Sequence, residues 1–103
     1  MKQICILLFL IASQQILAQQ ASEELTYKNH QFDFWLGTWE VYKYGTDTLV
    51  GHSRIESIND GLGLLENYSV ALGKYQGKSL NKYNPARERW EQYWIDNSGL
   101  TLF

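Results

Sequence analysis

Turn chemistry punctuates this chain at short, even intervals from residue 45 onward, and that spacing leaves room only for short strands. Gly45-Thr46-Asp47, Asn59-Asp60-Gly61, residues 73–77 (GKYQG), residues 84–88 (NPARE) and residues 96–99 (DNSG) each interrupt a stretch rich in aromatic or β-branched residues. Asp-Gly suits the positive φ angles of a tight hairpin. Pro85 takes the second place of its turn, where its fixed φ is preset. The stretches between turns predict strands over residues 38–44 (TWEVYKY), 48–58, 64–72, 78–83 and 89–96, with a sixth from residue 100. Strands of this length joined by tight turns predict an all-β fold, an up-and-down antiparallel meander. Nothing in this region resembles a crossover helix, so a parallel sheet is not expected.

The amino terminus has a different character. Lys2 precedes an unbroken apolar run at residues 4–12 (ICILLFLIA), then a more polar stretch that ends at Ala18. A positive start, an apolar core and a small residue at the cut form a secretion signal. The run is too short to cross a bilayer, which takes about 20 apolar residues. The predicted organisation is a signal peptide at residues 1–18, a polar segment at 19–31 and a β-meander at 32–103. Export to the periplasm or outside the cell follows, with no stable membrane anchor after cleavage. Cys5, the single cysteine, leaves with the signal. Disulfides, a thiolate nucleophile and cysteine-held metals are thereby excluded from the mature chain.

About 85 residues of the 103 then remain, enough for one small domain. Residues 21–28 read as polar and irregular, with a helical turn capped by Ser22. Phe32, Trp35 and Leu36 stand at i, i+3 and i+4, which predicts one short helical turn that Gly37 ends. The formal net charge of −2 and the absence of a basic stripe speak against nucleic acid as a partner. The chain stops at Phe103 in a β-prone stretch that has just begun, so a fragment is expected.

No predicted strand shows a purely apolar face. In the second, Leu49, Gly51, Ser53, Ile55 and Ser57 alternate with Val50, His52, Arg54, Glu56 and Ile58. In the third, Glu66, Tyr68, Val70 and Leu72 alternate with Leu65, Asn67, Ser69 and Ala71. In the fifth, Trp90, Gln92 and Trp94 alternate with Glu91, Tyr93 and Ile95. Two explanations stand side by side: a barrel with a partly polar, ligand-binding interior, or a plain sheet with amphipathic Tyr and Trp on both sides.

The run Phe32-Asp33-Phe34-Trp35-Leu36-Gly37-Thr38-Trp39-Glu40-Val41 resembles the opening motif of an exported bacterial family known only as domain of unknown function 1579. Leu65-Glu66-Asn67-Tyr68, residues 77–83 (GKSLNKY) and residues 90–97 (WEQYWIDN) are similar to later parts of that family. The Gly37-x-Trp39 step resembles the first strand of lipocalin-type barrels. The resemblance implies a lipocalin-like antiparallel barrel, with Phe32, Phe34, Gly37 and Trp39 as its structural motif, and no known reaction. Members of that family continue with further strands, so the barrel is expected to be incomplete in this chain.

Chemistry is sparse. His30 and His52 lie in different elements without metal-ligand spacing, and no metal or other cofactor is expected. Haem ligation would have only His52 as a strand candidate. Ser53, Ser57, Ser69 and Ser79 lack a nucleophile-elbow context. Glu56 and Glu66 flank the Asp60-Gly61 hairpin and are placed to face each other as an acid–base pair. Asn67-Tyr68-Ser69 matches a glycosylation sequon by coincidence. What is left is binding. Trp39, Tyr68, Tyr83, Trp90 and Trp94 offer flat rings with a polar edge; Trp39 and Trp90 are assigned to the core and the other three to a ligand, with Arg54, Glu66 and Gln92 as orienting polar groups. The sequence therefore predicts a binding module for a small apolar or amphipathic molecule. A hydrolase using the paired Glu residues is one alternative, and a structural or partner-binding β domain is the other.

Overall fold

The computed structural model describes the backbone of residues 2–103 and the side chains of residues 13–103. The apolar run and the three residues before it lie outside the described side chains, whereas residues 13–18 of the expected signal are described. One helix, α1 (Lys2–Asn29), is followed by a 3-10 turn at Asp33–Trp35. Six strands follow: β1 (Gly37–Tyr42), β2 (Leu49–Ile58), β3 (Gly63–Val70), β4 (Gln76–Asn84), β5 (Arg89–Asp96) and β6 (Thr101–Leu102). They form one sheet in sequence order, every neighbouring pair antiparallel. The first and last strands do not pair, so the sheet is open, in the form of an incomplete barrel.

The meander follows the turn chemistry closely. At the β2–β3 connection Asn59, Asp60 and Gly61 all take positive φ (53°, 56° and 84°). Asn, Asp and Gly are the residues that enter this region most readily. The polar segment differs from expectation. Residues 21–28 continue α1 instead of running irregularly. Ser22 does not cap a turn there; its carbonyl accepts a hydrogen bond of 2.9 Å from Thr26 Oγ1 one turn later. Glu23, Glu24 and Leu25 are good helix formers, and no Gly or Pro breaks the run before Asn29.

Register sorts the strand residues onto two faces. Directly opposed residues share a face, which gives rows such as Gly37–Ile55–Glu66–Ser79–Trp94 and Ser53–Tyr68–Gly77–Asp96. A third row is Leu64–Asn81–Gln92, and beyond it Tyr83 opposes Trp90. These rows form the inner face, because burial alternates in their favour along β2 and β4. Ile55, Leu64 and Tyr83 are buried there, and so are Ser53, Ser79 and Asn81. The mixed strand faces thus come from polar residues at the centre of the sheet. The opposite, outer face keeps Leu80, Tyr93 and Ile95 more than half exposed.

Two glycines let aromatic rings lie down on the inner face. A Cβ at Gly77 would intrude into the Trp94 indole. A Cβ at Gly51 would stand 2.5 Å from the Tyr68 hydroxyl and 2.7 Å from the Ser69 carbonyl oxygen. Both sites require a residue without a side chain, so that a neighbouring ring can cross the strand.

Candidate functional site

A chain of polar side chains runs across the middle of the inner face. Ser53 Oγ donates to Glu66 Oε2 at 3.1 Å, and Ser79 Oγ donates to Glu66 Oε1 at 2.7 Å. Asn81 Nδ2 donates to Ser79 Oγ at 2.8 Å and to the Leu64 carbonyl at 3.4 Å. Gln92 Nε2 donates to Asn81 Oδ1 at 2.9 Å and to Ser79 Oγ at 3.4 Å. The chain links β2, β3, β4 and β5 through side chains alone. Buried polar groups must find partners, and among the described residues no buried side-chain donor or acceptor is unsatisfied.

Aromatic rings border this polar waist on both sides. Toward one end Tyr68 and Trp94 have centroids 6.4 Å apart, and Tyr75 stands 6.5 Å from Tyr68. Toward the other, Tyr83 lies 6.4 Å from Trp90, and Phe32 meets Trp90 edge-on at 4.8 Å. Trp90 Nε1 donates to Gln31 Oε1 at 3.2 Å, which fixes the segment before the 3-10 turn to β5. Trp39 Nε1 donates to the Trp35 carbonyl at 2.6 Å and ties the same turn to β1. Between this turn and the sheet lies a cleft of about 420 Å³. Phe32, Phe34, Trp35, Leu64 and Trp90 form its walls, and Asn81 and Gln92 present amides to it.

Asp96 closes the far end of the face. Its Oδ2 accepts from Tyr75 OH at 2.8 Å and from Trp94 Nε1 at 3.0 Å. Its Oδ1 accepts from Ser98 Oγ at 2.5 Å, Ser98 N at 2.9 Å and Leu100 N at 3.2 Å. These donors, the Ser98 hydroxyl foremost, hold the carboxyl well below the usual carboxylate range. The hydrogen bond that Tyr75 donates to Asp96 raises the Tyr75 phenol, because the carboxylate favours the protonated hydroxyl.

The structure brings together five of the six residues expected to bind a ligand. Glu66, Tyr68, Tyr83, Gln92 and Trp94 all stand on the inner face. Arg54 does not. It opposes Thr38 and Asn67 on the outer face and pairs with Glu56 at 2.8 Å. The paired-carboxylate expectation fails for the same reason. Glu66 opposes Ile55 while Glu56 opposes Leu65, so the two carboxylates point to opposite sides of the sheet. Of the structural motif, Gly37 takes φ 123° at the start of β1, and Phe32 and Trp39 anchor the turn as described. Phe34 is 73 % exposed and touches Phe32 at the rim of the cleft. Ser53, Ser79 and Asn81 are the members that sequence reasoning did not assign to binding. The available signal was the hairpin itself. Counting outward from Asp60-Gly61 places Ser53 beside Tyr68 and Ile55 beside Glu66.

No family model, curated protein or solved structure matches this chain. Among the described residues no three acidic, histidine or cysteine groups gather to hold a metal. No helix among them is long and apolar enough to cross a membrane.

Proposed function

We propose that this chain is an exported β-sheet module that binds a small apolar or amphipathic molecule on the inner face. The observation that carries the proposal is the hydrogen-bonded line Ser53–Glu66–Ser79–Asn81–Gln92, set between two aromatic clusters. A few convergent polar groups among apolar walls are what small-molecule sites consist of. The cleft under Phe32 and Trp90 gives an apolar body a place to lie. Lys2, the apolar run at residues 4–12 and Ala18 support export through a cleaved signal. Kinship with the domain of unknown function 1579 family belongs to the same proposal and rests on residues 32–41 and 90–97.

Native mass spectrometry of the full chain after mild extraction tests it, together with titration of the fluorescent probe N-phenyl-1-naphthylamine. A co-purifying small molecule, or saturable probe binding with energy transfer from tryptophan, is the expected result. A chain that is always empty and takes up no probe overturns the proposal.

A further inference from the structure

Charge is divided between the two faces of the sheet. His52, Arg54, Lys78, Lys82 and Arg89 all lie on the outer face by register. The strand residues of the inner face include Glu66 and Asp96 and no Lys, Arg or His. Asp96 is saturated by the five donors already described. Glu66 is not. Each of its oxygens takes one hydroxyl bond, from Ser53 and from Ser79, and each carboxylate oxygen offers about two acceptor positions. No ion pair reaches Glu66 among the described residues.

A half-buried carboxylate at the centre of a face is unfavourable without an opposite charge. The two serines hold its position and leave its charge uncompensated. Tyr68 and Trp94 stand beside it with their rings on the same face, and aromatic rings attract cations through their electron-rich faces. We infer that the inner face selects a ligand carrying a protonated amine, which binds Glu66 while an apolar or aromatic body lies against the rings. The inference rests on the proposed binding function and names the chemical class of its ligand. Gln92 adds an acceptor: its amide nitrogen serves Asn81 and Ser79, and its carbonyl oxygen, which takes no hydrogen bond among the described residues, faces a second donor of the ligand.

The test compares three probes of one shape on the full chain: phenethylammonium, neutral phenethyl alcohol and anionic phenylacetate. Tryptophan quenching and saturation-transfer NMR read the binding. The amine is expected to bind about tenfold more tightly than the alcohol, the worth of one charge-assisted hydrogen bond, and phenylacetate more weakly than either. Glu66→Gln should erase the preference, so that within that variant the amine binds no more tightly than the alcohol, and Asp96→Asn should keep it. Equal binding of amine and alcohol overturns the inference and leaves the binding function standing. Saturation by none of the three removes both. A preference that survives in Glu66→Gln also refutes the assignment. Should that variant fail to fold, the wild-type series alone decides.

Discussion

Replacing Gly77 by alanine puts two physical effects in opposition. Gly77 is not in the left-handed region, so alanine fits its backbone. On backbone grounds alone the change stabilises by about 0.4–1 kcal/mol, because the unfolded chain loses freedom. The structure predicts the opposite sign. The new Cβ would meet the Trp94 indole, and a ring cannot give way as the end of a flexible chain does. Trp94 must rotate off β4, which takes its Nε1 from Asp96 and its ring from Tyr68. Overpacking of this kind costs about 1–3 kcal/mol. The midpoints of the two effects leave a net loss of about 1.3 kcal/mol, or a Tm lower by about 5–10 °C for a domain of this size. Urea and thermal unfolding of the full chain, followed by tryptophan emission, measure it. Trp94→Leu supplies the internal control, since in that background Gly77→Ala should cost little and the two changes should couple by about 1 kcal/mol. A Gly77→Ala protein as stable as the wild type would refute the placement of the ring.

Three further outcomes follow from described contacts. Ser79→Ala leaves Glu66 Oε1, Asn81 Nδ2 and Gln92 Nε2 each short of a partner, and should cost about 1–3 kcal/mol in urea unfolding; an unchanged midpoint would dissolve the polar line. Gly61→Ala forces a Cβ onto φ 84° and to 3.2 Å from the His30 ring, and should lose about 1–2 kcal/mol by the same assay. Asp96 has a depressed carboxyl, so its contribution is present above the unfolded value of about 4 and is lost as pH falls toward the folded one. The stability gap between wild type and Asp96→Asn should therefore narrow on going from about pH 6 to about pH 2; a gap that stays constant across that range would contradict the donor set around Asp96.

The strands and turns were legible because their signals are local. Asp60-Gly61, Pro85 and residues 96–99 announce turns from their own backbone preferences, and aromatic and β-branched residues fill the spaces between. Facing was harder to read. Hydrophobicity normally tells which side of a strand is inside, and here it misleads: Leu80, Tyr93 and Ile95 are exposed while Ser53, Ser79 and Asn81 are buried. Arg54 looked like a partner for a ligand because Arg so often is. Its parity in β2 puts it behind the sheet, a fact that depends on pairing with β3. The continuation of α1 through residues 21–28 was missed for another reason, since a polar helix without an apolar stripe has no period to read.

The polar line across β2 to β5 also governs alignment. In most half-buried sheets a strand that slides by one position turns its oily side to water, and that penalty holds the register. Here both sides mix apolar and polar groups, so sliding would cost little in hydrophobic terms. The donors and acceptors of Ser53, Glu66, Ser79, Asn81 and Gln92 meet in one arrangement only. They act as a combination lock: four strands must stop at matching positions before all of these groups are satisfied together, and a misaligned sheet would leave part of the carboxylate and amide set at its centre without partners.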